Sequence, residues 1–123
     1  MKILIVEDDP VMLSLIEHQL SKEDHIVSAN QGVREAMESL ETFKPDLIMT
    51  DIVMPFASGL ELISMVRSSG SKVPILVLSA MDQEATVFEA LSLGANDFIT
   101  KPFNPPEVSI RVKKLVSLKK GKK

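Results

Sequence analysis

The sequence predicts an α/β fold, a doubly wound five-stranded parallel sheet with helices on both faces. Three observations carry this. Short, continuous apolar runs recur along the chain, as expected of parallel strands covered on both sides. Segments of helical period lie between them in strict alternation, and the connections are short enough that right-handed crossovers pack each helix against the sheet.

The first run, "KILIV" (2–6), leads to Asp9 and Pro10, an N-cap and first helical position, followed by Met12, Ile16 and Leu20 at helical spacing. "HIVSA" (25–29) is a more polar strand; Val33, Met37, Leu40 and Phe43 form the next helical stripe, ended by Lys44 and Pro45. "LIMT" (47–50) is a buried strand. Ser58 to Glu61 has capping-box spacing ahead of Leu62, Ile63 and Val66. "PILVL" (74–78) precedes a helix from Gln83 to Leu93 that carries Val87, Ala90 and Leu91 and ends at Gly94, a left-handed C-cap. "DFI" (97–99) closes the set of strands, and Asn104 to Glu107 opens a last helix with Val108, Val112, Leu115 and Val116. The two weaker strands, second and fifth, suit the edges of a flavodoxin-like order, 2-1-3-4-5, in which ligands bind beyond the carboxyl ends of the strands.

Size and composition narrow the class. A chain of 123 residues is one domain's worth of core. With neither Trp nor Tyr, that core must lean on Leu, Ile, Val, Met and Ala, and the seven Met residues read as adaptable filler. Cysteine is absent, which excludes disulfides and thiolate metal sites. No run approaches the ~20 apolar residues of a membrane span, and the opening "MKILIV" is too short for a signal peptide's apolar region. The expected location is cytoplasmic, with no membrane partner. A net charge of −3 argues against direct nucleic-acid binding, and "KKGKK" reads as a solvated tail or the start of a linker. The expected division is a domain over 1–118 and a basic tail over 119–123.

The residues that follow the strands carry the chemistry. Strand one ends in Glu7, Asp8 and Asp9; strand three in Asp51; strand four in Ser79; strand five is followed by Thr100 and Lys101. Carboxylates gathered at one rim repel one another, and one Lys cannot balance them all. A hard divalent cation does, and Mg²⁺ is commonly held by one or two carboxylates with waters and a phosphate oxygen. Neither His18 nor His25 sits at this rim, so a soft-ligand site is disfavoured. A carboxylate beside Mg²⁺, with an ammonium and a hydroxyl nearby, is suited to accept a phosphoryl group. No G-x-x-x-x-G-K-[ST] loop is present to bind ATP as donor.

In order and spacing, "ILIVEDDP", "PDLIMTDIVMP", "PILVLSA" and "GANDFITKPF" resemble the receiver domain of two-component response regulators, from Lys2 to about Leu118. The resemblance implies Asp51 as phosphoacceptor, taking its phosphoryl group from a sensor histidine kinase or phosphotransfer protein. It implies Mg²⁺ held by Asp8 and Asp51, by Glu7 through water, and by the backbone carbonyl of Val53. Ser79 and Lys101 match the catalytic hydroxyl and lysine, and Ser79 and Phe98 the switch pair, with Phe where many members carry Tyr. A cis peptide before Pro102 is implied as well. Val53 and Met81 occupy positions that influence phosphoryl lifetime; both are apolar here, which implies slow self-dephosphorylation. The output is expected on the face of the fourth helix, fifth strand and fifth helix, where Asp97 and Arg111 match positions used for homodimer pairing in one transcription-factor subfamily, although Ser92 and Asn96 do not carry its acids. The domain is thus expected to be a phosphoacceptor that assists its own phosphorylation and dephosphorylation, not a separate enzyme.

Simpler readings stand beside these. Glu7 and Asp8 are also acids at a helix start, favoured by the helix dipole. Asp9 is better explained as a cap than as a ligand, Phe98 is by default a core aromatic, and His18 and His25 are ordinary surface groups. The rival function is a Mg²⁺-dependent phosphatase with an aspartyl-phosphate intermediate, whose pattern wants an Asp where Val53 stands. A flavin-binding module of the same fold would set FMN phosphate against "EDDP".

Overall fold

The computed structural model describes residues 1–54, 57–80 and 84–120, so Pro55, Met81, Gln83 and the end of the basic tail lie outside the described residues. Its elements run β1 (Lys2–Val6), α1 (Pro10–Lys22), β2 (Ile26–Asn30), α2 (Val33–Phe43), β3 (Leu47–Asp51), α3 (Gly59–Ser68), β4 (Ile75–Ala80), α4 (Glu84–Leu93), β5 (Asp97–Lys101) and α5 (Pro105–Lys120). A two-residue antiparallel ribbon, Val53–Met54 with Ala57–Ser58, leads into α3. The main sheet is parallel throughout, in the expected order β2-β1-β3-β4-β5.

Two-residue periodicity divides the apolar strand residues between the faces. Leu4, Val6, Ile48, Ile75 and Val77 face α2, α3 and α4. Ile3, Ile5, Leu47, Met49, Leu76 and Leu78 face α1 and α5. Burying each such side chain stabilises the fold by roughly 1.5–3 kcal/mol, and doing so on both faces holds the central strands rigidly where their polar ends emerge.

Several expected details shift. On α1 the buried stripe is Leu13, Ile16 and Leu20, and Met12 only borders the core. On α2, Val33 and Ala36 are buried while Met37, Leu40 and Phe43 pack at the margin. Leu91 turns outward, 37% exposed. Strand β2 begins one residue later than expected, and β4 and β5 continue through Ala80 and Lys101, so Ser79, Thr100 and Lys101 belong to strands and inherit their rigidity. Helix α5 runs to Lys120, taking in the first two residues of the basic tail.

The caps follow the expected chemistry. Asp9 accepts from the Val11 and Met12 amides at 3.0 and 3.5 Å, with Pro10 at the first helical position. Ser58 caps α3 through the Leu60 amide. Lys44 ends α2 and Gly94 follows α4, both at positive φ. His25 is half-buried rather than a free surface group, its Nδ1 lying 3.2 Å from the terminal amine, and burial lowers its pKa.

Candidate functional site

The carboxyl ends of β1, β3, β4 and β5 lie level, because the ladders pair Val6 with Thr50, Asp51 with Leu78 and Ser79 with Thr100. That register brings together side chains from residues 7 to 101. Carboxylate oxygens of Glu7, Asp8 and Asp51 all lie within 4.8 Å of one another. Lys101 Nζ donates to Glu7 Oε1 at 2.7 Å and to Asp51 Oδ2 at 2.9 Å. The Lys101–Pro102 peptide is cis, as the resemblance implies.

Two of the acids are held from their own segments. Asp51 Oδ1 accepts from the Ile52 amide at 2.9 Å, which leaves Oδ2 to the ammonium and aims the carboxylate along the rim. Glu7 is fully buried, and its second oxygen accepts from the Asp9 amide at 3.2 Å. Asp8 is the least buried of the three. Ser79 is buried on the neighbouring strand at 1% exposure. The Val53 side chain points into solvent and Phe98 is 37% exposed, so the structure brings neither side chain into the acidic cluster. Phe98 instead lines a cavity of about 270 Å³ with Ser79, Val87, Phe88, Leu91 and Thr100.

The electrostatics follow from one ammonium serving two buried acids. Burial pushes Glu7 up to about 7; the Lys101 hydrogen bond opposes this and the Asp51 charge adds to it. Burial by itself lowers Lys101, but its bonds to Glu7 and Asp51 outweigh that and raise it. Between about 4.5 and about 7, Glu7 thus holds more proton in the folded than in the unfolded chain. Its contribution to stability is present at the acid side and is lost as pH rises through this window, by at most about 1.4 kcal/mol per pH unit. Urea denaturation of wild type against Glu7→Gln, without divalent cations, is expected to show the wild type losing stability relative to the variant from pH 5 to 7. A difference that is flat with pH would contradict it.

The donor set is hard and anionic: three carboxylates with no histidine in the group. Such a set fits a small divalent cation with oxygen ligands better than a transition metal.

Two residues that shape this site were missed. Gly59, first in α3, lies so close to the β3 end that a Cβ there would overlap the Asp51 carbonyl oxygen. A glycine directly after an N-cap, where helix propensity disfavours it, was the available signal. Asn30, the last residue of the polar edge strand β2, is 5% exposed. Nothing in the alternation of a polar edge strand marks it.

The model of the response regulator receiver domain matches residues 3–113. The alkaline phosphatase synthesis transcriptional regulatory protein PhoP of Bacillus subtilis is 39% identical over 116 residues, 94% of this chain and 48% of that protein. The transcriptional regulatory protein KdpE of Staphylococcus aureus is 37% identical over 120 residues, 98% of this chain and 52% of that protein. The chain therefore spans about half the length of these relatives. Among solved structures, the receiver domain of the Francisella response regulator 1452 superposes with a TM-score of 0.88 at 29% identity, covering 96% of this chain and 98% of that one.

Proposed function

The chain belongs to the response regulator receiver domain family, and we propose that within it Asp51 accepts a phosphoryl group from the phosphohistidine of a sensor histidine kinase or phosphotransfer protein, in a Mg²⁺-dependent reaction. The observation that carries this is the shared ammonium. Lys101 bonds to Asp51 and Glu7 at once, beside a third carboxylate, at the rim of a rigid sheet. Asp51 Oδ attacks phosphorus, the P–N bond to the donor imidazole breaks, and an acyl phosphate forms. Lys101 pairs with the phosphoryl oxygens and Ser79 donates a hydrogen bond to them. Glu7, Asp8, Asp51 and the Val53 carbonyl would hold Mg²⁺, which supplies charge neutralisation on those oxygens. A phosphatase finds no support: an apolar Val53 stands where its second Asp belongs.

The new charge, roughly −2, draws Ser79 and Lys101 toward the phosphoryl group. Phe98 then has the cavity beside Ser79 and Thr100 into which to repack, shifting a two-state equilibrium on the α4-β5-α5 face. That face exposes Phe88, Leu91, Phe98 and Ile110 and carries an Asp97–Arg111 pair bonded at 3.1 Å, and it would bind a partner or a second copy of the chain. Asn96, which lacks the pairing acid of that subfamily, is engaged elsewhere, accepting from Arg67 and the Ile75 amide. The relatives' names and lengths support a receiver carried in a longer transcriptional regulator; we place the receiver at residues 1–118 and the protein in the cytoplasm, and among the described residues no helix is long and apolar enough to cross a membrane.

The test is incubation with a small acyl-phosphate donor, with and without Mg²⁺, followed by intact mass. The wild type is expected to gain one phosphoryl group only with Mg²⁺, and Asp51→Ala none. No gain in the wild type, or an undiminished gain in the variant, would refute the assignment.

Phosphoryl lifetime gives a second readout. Val53 is 56% exposed in the ribbon that follows Asp51, and its side chain offers no group to orient an attacking water. Val53→Asn is expected to lose the phosphoryl group faster, by up to about tenfold, the scale of one added hydrogen bond. A wild type that loses it faster than the variant would contradict this.

A further inference from the structure

Asn30, at the end of β2, makes more hydrogen bonds than an edge-strand residue needs. Its Nδ2 donates to the Ile5 carbonyl at 3.3 Å, the Ser28 carbonyl at 3.1 Å and Ser28 Oγ at 3.2 Å. Its Oδ1 accepts from Ser39 Oγ of α2 at 3.3 Å. Its backbone carbonyl accepts from the Glu7 amide at 3.0 Å. The orientation of the side-chain amide follows from these partners, since the reverse would set an oxygen against two carbonyls.

Two of these bonds grip the same tripeptide. Ile5 C=O and Glu7 N–H flank Val6, the residue paired with Asn30 in the ladder. One residue therefore holds the end of β1 at two points, directly before the chain delivers Glu7 and Asp8. A side chain without a donor would leave the Ile5 carbonyl with one partner fewer at a buried position, and the Ser39 bond that ties α2 to the β2 end would be lost. Glu7 is fully buried with its carboxylate bonded to both Lys101 and the Asp9 amide, so a backbone shift at the end of β1 acts on both of those bonds.

We propose that Asn30 is a positioning residue for the cation site: by bracketing Val6 and tying that grip to Ser39, it sets where Glu7 and Asp8 enter the acidic cluster and hence the affinity for Mg²⁺. This rests on the reading of Glu7, Asp8 and Asp51 as a cation site. It touches neither the phosphoryl group nor the ion. Mg²⁺ demands near-ideal octahedral geometry, so a small displacement of two carboxylates weakens binding more than it weakens the fold. Losing an outer support of a metal site typically costs ten- to a hundredfold in affinity.

The experiment uses the whole chain as Asn30→Ala, Ser39→Ala and Glu7→Gln. Mg²⁺ is titrated by amide chemical shifts, Glu7 amide exchange is followed without metal, and phosphoryl uptake is timed at low and saturating Mg²⁺. For Asn30→Ala we expect the Mg²⁺ Kd to rise about tenfold, faster Glu7 exchange, and uptake that is slow at low Mg²⁺ but recovers at saturation. Ser39→Ala, which keeps the grip and removes only its anchor, is expected to raise the Kd about threefold, and it decides alone if Asn30→Ala does not fold. An unchanged Kd with a lowered Tm would make the residue merely structural and overturn the proposal. Glu7→Gln separates the two claims. If it too leaves the Kd unchanged, the cation-site reading fails; if it raises the Kd while Asn30→Ala does not, only the role of Asn30 fails.

Discussion

Replacing Lys101 by Met is expected to slow Mg²⁺-dependent phosphoryl uptake by about 10²–10³, the usual cost of removing one preorganised charge donor from a transition state, while tightening the binding of Mg²⁺ itself. The two effects have one origin. Without a divalent ion, Lys101 is the counter-charge of the cluster, bonded to Glu7 at 2.7 Å and Asp51 at 2.9 Å. A cation entering between those carboxylates must displace part of that interaction, so removing the ammonium removes a competitor. The Met stem fills the apolar part of the volume, but no ammonium then meets the phosphoryl oxygens. Stability without metal should fall. Deleting one partner of a buried ion pair costs about 3–5 kcal/mol when the other stays charged, and less here because Glu7, already pushed up to about 7, can take a proton instead. Titration calorimetry with Mg²⁺ and the time course of phosphoryl mass uptake check this. Weaker Mg²⁺ binding in the variant, or an uptake rate equal to wild type, would contradict a Lys101 that both competes with the cation and serves the phosphoryl group.

The residues in this argument differ in how legible they were in the sequence. Asp51 was plain, because a charged group after "LIMT" has no place in a core strand unless the strand ends at a site. Glu7 and Lys101 were legible as members of a set of strand ends, although their contact spans 94 residues and only the parallel order predicts it. Continuous apolar runs announced strands covered on both faces, and the structure divides their residues between the two. Helix stripes did less well: Met12 and Leu13 differ by one position, and which of them is buried depends on the angle at which α1 crosses the sheet, which the sequence does not state. The lengths of β4 and β5 were underestimated because Ser79, Thr100 and Lys101 are polar, and propensity ends a strand where polarity begins. In fact their backbones continue the ladder so that their side chains arrive at the rim in fixed positions. Gly59 and Asn30 lay beyond this kind of reading. Their importance is a matter of what lies across the fold from them, the Asp51 carbonyl in one case and the Ile5 and Glu7 backbone in the other.

Gly59 makes the sharper test of that point. Gly59→Ala is expected to lose about 1–3 kcal/mol of stability, the usual range for overpacking, and to slow phosphoryl uptake by up to about a hundredfold, the scale of a misplacement near 1 Å in a reacting group. Its Cβ would overlap the Asp51 carbonyl oxygen and approach the Asp51 carbonyl carbon and Ile52 Cα to 3.0 and 3.1 Å. All three are backbone atoms in a buried segment, so no side chain can swing away to make room. The first turn of α3 must move off, stretching the 2.7 Å bond from the Gly59 amide to the Ile52 carbonyl. The Ile52 amide belongs to the same segment and orients Asp51 Oδ1 at 2.9 Å, so the strain passes to the carboxylate we propose as phosphoacceptor. Ser58→Ala is the control. It removes the cap on the Leu60 amide and a 3.2 Å bond to the Ile52 carbonyl, at about 1 kcal/mol, but adds no atom next to Asp51. Urea denaturation and uptake rates, measured where both variants are folded, separate the two: cap loss lowers stability and leaves uptake near wild type, whereas steric displacement lowers both. Equal uptake in Gly59→Ala and Ser58→Ala would mean that α3 yields without moving Asp51, and that the close approach serves packing alone.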